Sequence, residues 1–267
     1  MPFSASTGLN TGTTGKGILS YEGGKYDFLG FDDGSREIPD IVSKYASQIP
    51  IRERGLFSKQ GFSSTDIAIM GRRFNNEWTP YKVVAPANQN YKFTYGDTAH
   101  LWGREVGYLT IVSYNNSFNN QQEIRNTFTL KGLDRQGRAL LVLYTQYTVE
   151  RGGNDVMWEG VLNANFRLNE SHTAGLKTIF SHNGDSQART WEGYNMDRVT
   201  NMKSARLMFV ERQLVSSQLS GDHKFGQLDN KDNKQRAQLT WRLSFSRAKR
   251  NQPDTREMVY EKGNLDR

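Results

Sequence analysis

The chain has 267 residues, of which 36% are hydrophobic, 12% aromatic and 24% charged; it contains no cysteine. The absence of cysteine excludes a disulfide scaffold and thiolate metal sites. A mean hydropathy of −0.73 goes with no run of about 20 apolar residues, so a transmembrane helix is excluded, whereas a membrane β-barrel is not. The net charge of +7 permits an anionic partner. The basic residues are scattered, however, apart from Arg247, Lys249 and Arg250, which points to solvated loops and strand ends.

The start, Met-Pro-Phe-Ser, has neither a basic nor an apolar leader region, so no export signal is expected there. Phe3 to Thr11 reads as a first strand rich in Ser, Thr and Gly. A long connection of about residues 20–87 follows. Within it only Pro39 to Gln48 looks helical, with Ile41, Val42, Tyr45 and Ala46 at helical spacing and Pro50 as terminator. Tyr91, Phe93 and Tyr95 then alternate with polar residues, and Trp102-Gly103-Arg104-Glu105 reads as a turn. The strand from Gly107 places Tyr108, Thr110, Val112 and Tyr114 on one face.

Residues 119–156 are expected to form a second long connection, with a strand-like segment from Leu140 to Tyr147. Trp158 to Leu168 alternates again, and a short turn at Asn169 to His172 leads into Ala174, Leu176, Thr178 and Phe180, the pattern of a hairpin. A polar stretch, residues 182–206, is expected as a third long connection before a less regular strand from Leu207. The clearest alternation is the last. Leu239, Trp241, Leu243 and Phe245 form an apolar face, and Gln238, Thr240, Arg242 and Ser244 a polar one. Residues 249–267 are expected as a terminal loop.

Short connections alternating with long ones suit an outer-membrane barrel, with short periplasmic turns and long extracellular loops. On this reading the fold is all-β: an antiparallel transmembrane sheet of about seven strands. Up-strands begin near Phe3, Gly107, Thr173 and Ala237, and down-strands near Asn88, Trp158 and Leu207. Leu239, Trp241, Leu243 and Phe245 face lipid, and Tyr108, Tyr114, Trp158 and Trp241 mark interfacial girdles. The alternative is a soluble β-sandwich binding module with ligand- or glycan-binding loops, which buries the Leu239, Trp241 and Phe245 face under a second sheet.

Motifs for catalysis fail on inspection. Gly15-Lys16-Gly17 lacks the first glycine and the final Ser/Thr of a phosphate loop. The histidines, His100, His172, His182 and His223, show no zinc spacing. Asp32-Asp33-Gly34 lacks the ligands of a calcium loop, Asp229 and Asp232 suit a turn, and no Gly-x-Ser-x-Gly elbow occurs. The expectation is a protein that is not an enzyme and uses no cofactor. Its polar strand faces, rich in Ser, Thr, Asn and Gln, suit a wetted lumen better than a nucleic-acid track.

The connection sequences are more specific than the strands. Gly23-Gly24-Lys25-Tyr26-Asp27-Phe28-Leu29-Gly30-Phe31-Asp32-Asp33-Gly34-Ser35-Arg36-Glu37-Ile38-Pro39 resembles the first extracellular loop of TonB-dependent outer-membrane receptors. Ser244 to Arg256, with Pro253, Asp254 and Arg256, is similar to a strand-to-loop segment of the same family, and Gly103 to Tyr108 to its third-strand turn. The resemblance spans about Tyr21 to Glu261. It implies a 22-stranded barrel with a plugged lumen that takes up a ligand such as an iron chelate, cobalamin or a glycan. Residues 1–267 would then be the N-terminal portion of that barrel, with no plug domain among them. The implied partners are outer-membrane lipid, the plug, the remaining strands and the energy-transducing TonB complex.

Overall fold

The computed structural model describes residues 2–55, 60–225 and 237–262. Its main feature is a seven-stranded antiparallel sheet. In spatial order the strands are β1 (Phe3–Gly8), β4 (Asn88–Leu101), β5 (Arg104–Leu133), β6 (Ala139–Asn169), β7 (His172–Asn195), β8 (Thr200–Phe225) and β9 (Ala237–Glu261). A two-stranded sheet joins β2 (Gly17–Ser20) to β3 (Tyr81–Val84). Strands β1 and β9 are the edges of the large sheet and do not pair with each other, so it is open.

Two tight turns close one end of the sheet. Leu101 pairs with Arg104 across Trp102 and Gly103, both at positive φ, the geometry of a two-residue hairpin turn. Asn169 pairs with His172 across Glu170 and Ser171. The turn expected at Asp229 and Asp232 lies outside the described residues.

The other end departs from the sequence reading. Residues 119–156 and 182–206 are not long loops. They are extensions of β5, β6, β7 and β8, joined at hairpin tips of residues 134–138 and 196–199. Strand β6 therefore begins at Ala139 rather than near Trp158, and β8 at Thr200 rather than near Leu207. Residues from Lys249 onward continue β9 to Glu261. The reason is that apolar and polar residues do not alternate regularly along these ribbons, while strand formation needs only a backbone ladder. At about 3.3 Å per residue the 31 residues of β6 span roughly 100 Å, far more than one membrane crossing. Pro253 interrupts β9 where Val210 stands opposite both Gln252 and Pro253. This is a bulge, the position at which a strand tolerates a residue without an N–H.

Register assigns the faces. Cross-strand partners share a face, so the pairs Tyr91↔Tyr114, Tyr114↔Trp158, Trp158↔His182 and His182↔Gln213 fix one face across the sheet. In the lower half this face carries Phe3, Phe93, Val112, Leu162, Leu176, Phe180, Leu219, Leu239, Trp241, Leu243 and Phe245. Several of these are widely exposed, including Leu243 and Phe245 at 66% each. The opposite face carries Ser4, Thr94, Ser113, Glu159, Lys177, Gln218, Arg242 and Ser244.

The long first connection is the only segment packed on this sheet among the described residues, and it is partly ordered as regular structure. It follows β2 and contains a short 3-10 helix (Asp27–Leu29), α1 (Asp40–Ala46), α2 (Ser64–Gly71) and β3. The expected helix is α1. Its unforeseen neighbour α2 is started by a capping box in which Ser63 and Asp66 exchange hydrogen bonds. The core is small and lies between this connection and the upper sheet, with Leu19 and Tyr21 against Ala188 and Leu207.

Candidate functional site

The glycine- and aspartate-rich motif of the first connection lies where that connection crosses the upper half of the apolar face. Residues 28–32 run across four adjacent strands with one polar tie to each. The Phe28 carbonyl accepts from the Tyr114 hydroxyl on β5 at 2.6 Å, and the Leu29 carbonyl from the Trp158 indole N–H on β6 at 2.9 Å. The Gly30 carbonyl accepts from His182 Nε2 on β7 at 2.7 Å, and the Asp32 N–H donates to Glu211 on β8 at 3.0 Å. A buried backbone needs such partners.

Close approach makes the crossing possible. A Cβ placed on Gly184 would sit 2.2 Å from the Gly30 carbonyl oxygen, and one on Gly152 would sit 2.0 Å from that of Leu19. Gly30 itself adopts φ +78°, which ends the 3-10 helix in the left-handed region that favours glycine. Phe31 then stacks on the His182 ring, with centroids 3.9 Å apart.

Asp33 and Gly34 shape the next turn. The Asp33 carboxylate accepts from the backbone N–H groups of Lys25 and Ser35, at 2.8 and 3.0 Å. Hydrogen bonds from the Ser35 side chain and these two N–H groups hold it well below the usual carboxylate range. Gly34, at φ +83°, donates to Asp32.

Arg36 is the buried hub. Its guanidinium pairs with Asp27, and with Asp32 at 3.1 Å, while its Cζ lies 4.1 Å from the Phe209 ring centroid. The side chain is 2% exposed. Hydrogen bonding to Asp27 and the charge of the surrounding acids outweigh burial and raise its pKa further, so it stays charged. Pro39 directly precedes α1, and its carbonyl accepts from the Val42 N–H at 2.7 Å.

The segment Pro253 to Arg256 holds the returning leg. Arg256 donates to Asp254 (2.7 Å from Nη2) and to the carbonyls of Asn75 and Glu77. Arg36, Ile38, Phe74, Trp78, Asp254 and Arg256 then line one cleft of about 590 Å³. The structure thus brings together Ser35 to Ile38 and Gln252 to Glu257, which are more than 200 residues apart. Leu239, Trp241, Leu243 and Phe245 are elsewhere, in the lower half of the same face.

Aromatic side chains bound that lower half. Tyr91, Tyr114 and Trp158 form a row along its upper limit, with ring centroids 6.1 and 4.8 Å apart. At the lower limit His172, His223 and Trp241 meet, and the Trp241 N–H donates to His223 at 3.0 Å. The donors Tyr114, Trp158 and His182, and the acceptor Glu211, are the docking residues that sequence reasoning missed. The aromatic pair was legible as girdle residues, but nothing local says that their polar ends hold a loop.

Comparison of the chain with protein-family models, curated proteins and solved structures gives no match.

Proposed function

We propose that this chain is part of a TonB-dependent outer-membrane receptor barrel and serves ligand uptake rather than catalysis. The observation that carries the reading is the exposed apolar belt on one face of an antiparallel sheet, backed by a polar face. Exposed apolar surface of this extent marks a membrane or partner interface. On β7 the belt runs from His172 to His182. Those ten steps, at about 3.3 Å each and a tilt of about 40°, give a height of about 25 Å, matching the apolar band of outer-membrane barrels. Leu239, Trp241, Leu243 and Phe245 face lipid on this reading, and Arg242 faces the lumen. Arg247 and Lys249 continue the belt face upward, where long basic side chains reach the headgroups.

A β-sandwich would cover the belt with a second sheet. Here the small β2–β3 sheet stands above the belt, against Gly152. In lipid the unpaired edges of β1 and β9 would leave backbone groups unsatisfied, so closure requires further strands. The resemblance supplies them as the rest of a 22-stranded barrel around a plug, coupled to the TonB complex. The docked first connection then lies outside the wall above the membrane, and the ribbons of β5 to β9 rise into the extracellular space.

The test is to follow peptides of this chain in fractionated source cells and to measure the intact mass of the polypeptide that carries them. A detergent-extracted outer-membrane species several hundred residues longer is the expected result. A stable species of 267 residues in the soluble fraction would sink the uptake reading and favour the sandwich.

A further inference from the structure

Above the belt, on the face opposite the docked connection, one cross-strand row reads Gln121, Arg151, Arg189, Arg206 and Glu257 on β5 to β9. Three arginines are therefore immediate neighbours on three adjacent strands. Neighbouring strands are about 4.8 Å apart, and like charges directly opposite destabilise a sheet.

Little in the protein offsets this. Glu257 reaches Arg189 only at 3.8 Å, and Arg151 has a 3.5 Å contact with Gln121. Arg206 donates to the Met208 sulfur at 3.7 Å. The Nε atoms of Arg151, Arg189 and Arg206 are all buried without a partner among the described residues. Burial, and then the charge of Arg206, push the Arg189 pKa down. Two other arginines on this face have acidic partners: Arg125 pairs with Glu123 at 2.6 Å, and Arg212 with Asp185 at 3.8 Å. Asp155 accepts from Asn183. One row further up, the Trp191 ring packs on Tyr147.

We infer that Arg151, Arg189 and Arg206 form a binding site for a multiply charged oxyanion, a polycarboxylate or a phosphate-bearing ligand, with Trp191 flanking its less polar part. Planar guanidinium forks recognise such oxygens bidentately, and three in a row match charge spread over about 10 Å. The inference rests on the uptake reading only for its biological meaning, since it would make the cargo an anion; the site itself is a property of the folded sheet.

The experiment is calorimetric titration of the intact, detergent-purified protein with citrate and with inorganic pyrophosphate at low ionic strength, with maltotriose as the neutral control. Binding of either anion but not of maltotriose is expected, and the stronger of the two identifies the oxyanion type. Arg189→Gln and Arg206→Gln should each weaken it by about tenfold or more, while Arg242→Gln, in the belt region, leaves it unchanged. No heat with either anion up to about 10 mM, or full affinity in the double variant, overturns the inference. Should the glutamine variants fail to fold, phenylglyoxal labelling of the wild-type protein decides: citrate or pyrophosphate should protect the peptides carrying Arg189 and Arg206, and absence of protection overturns it. None of these readouts requires membrane location or transport.

Discussion

His182 Nε2 lies 2.7 Å from the carbonyl oxygen of Gly30, 152 positions away in the chain. A carbonyl can only accept, so His182 carries its proton on Nε2, and the same ring stacks on Phe31. One side chain on β7 therefore fixes both the backbone and the side chain of the Leu-Gly-Phe step. His182→Ala should release residues 27–39 to protease while leaving the β6–β8 ladder intact by amide exchange. Unchanged proteolysis there would show that the contact does not hold the connection.

Gly184 should be as sensitive as any larger residue. A Cβ at this position meets backbone rather than a movable side chain. Gly184→Ala is expected to cost about 1–3 kcal/mol of docking free energy, the range for overpacking a tight contact. Gly160→Ala, where the nearest atom is the Phe180 Cβ at 3.6 Å, should be tolerated. Equal stability of the two variants by thermal denaturation would contradict the close approach.

Arg36→Met keeps the bulk but leaves Asp27 and Asp32 without their cation. Removing one member of a buried pair costs about 3–5 kcal/mol; because Asp27 is partly exposed, the lower end is expected. The loss should appear as undocking of the connection, read by quenching of Trp158 fluorescence by an aqueous quencher. Arg36→Lys should recover only part of it, since an ammonium cannot reproduce the guanidinium fork.

Acid should spare the Asp33 turn longer than an ordinary carboxylate contact. The folded-state pKa of Asp33 is lowered, so its contribution to stability is complete above the unfolded value of about 4 and lost only as pH falls through the lower folded value. Asp33→Asn should therefore flatten the acid limb of the undocking curve. An identical acid limb in the variant would remove Asp33 from the account.

The belt makes a face-specific prediction. Leu243→Arg, near its middle on β9, should cost about 2–4 kcal/mol in a bilayer and impair membrane assembly. Ser244→Arg, on the opposite face, should assemble normally. Equal tolerance of the two, measured by detergent-gel mobility before and after heating, would speak against lipid contact.

The sequence by itself determined the strands of the belt. Apolar residues at every second position from Trp158 to Leu168 and from Ala237 to Phe245 specify a face, because a one-residue slip would turn each side chain over. It also specified the turns at Trp102-Gly103 and Glu170-Ser171, and the helix after Pro39, through local backbone chemistry. Within residues 119–156 only Leu140 to Tyr147 reads as strand from the sequence; the rest, and residues 182–206, read as loops because their apolar and polar side chains do not alternate, and their ladders are satisfied only by partners on neighbouring strands. The motif residues Gly30, Arg36, Asp254 and Arg256 were visible, but their meeting was not. Tertiary structure alone decided it: hydrogen bonds from Tyr114, Trp158 and His182, and backbone contact across Gly184, join segments whose proximity no local pattern encodes. The arginine row is the same kind of fact. Arg151, Arg189 and Arg206 are scattered in the chain, and only the registers of β6 to β8 set their charges side by side.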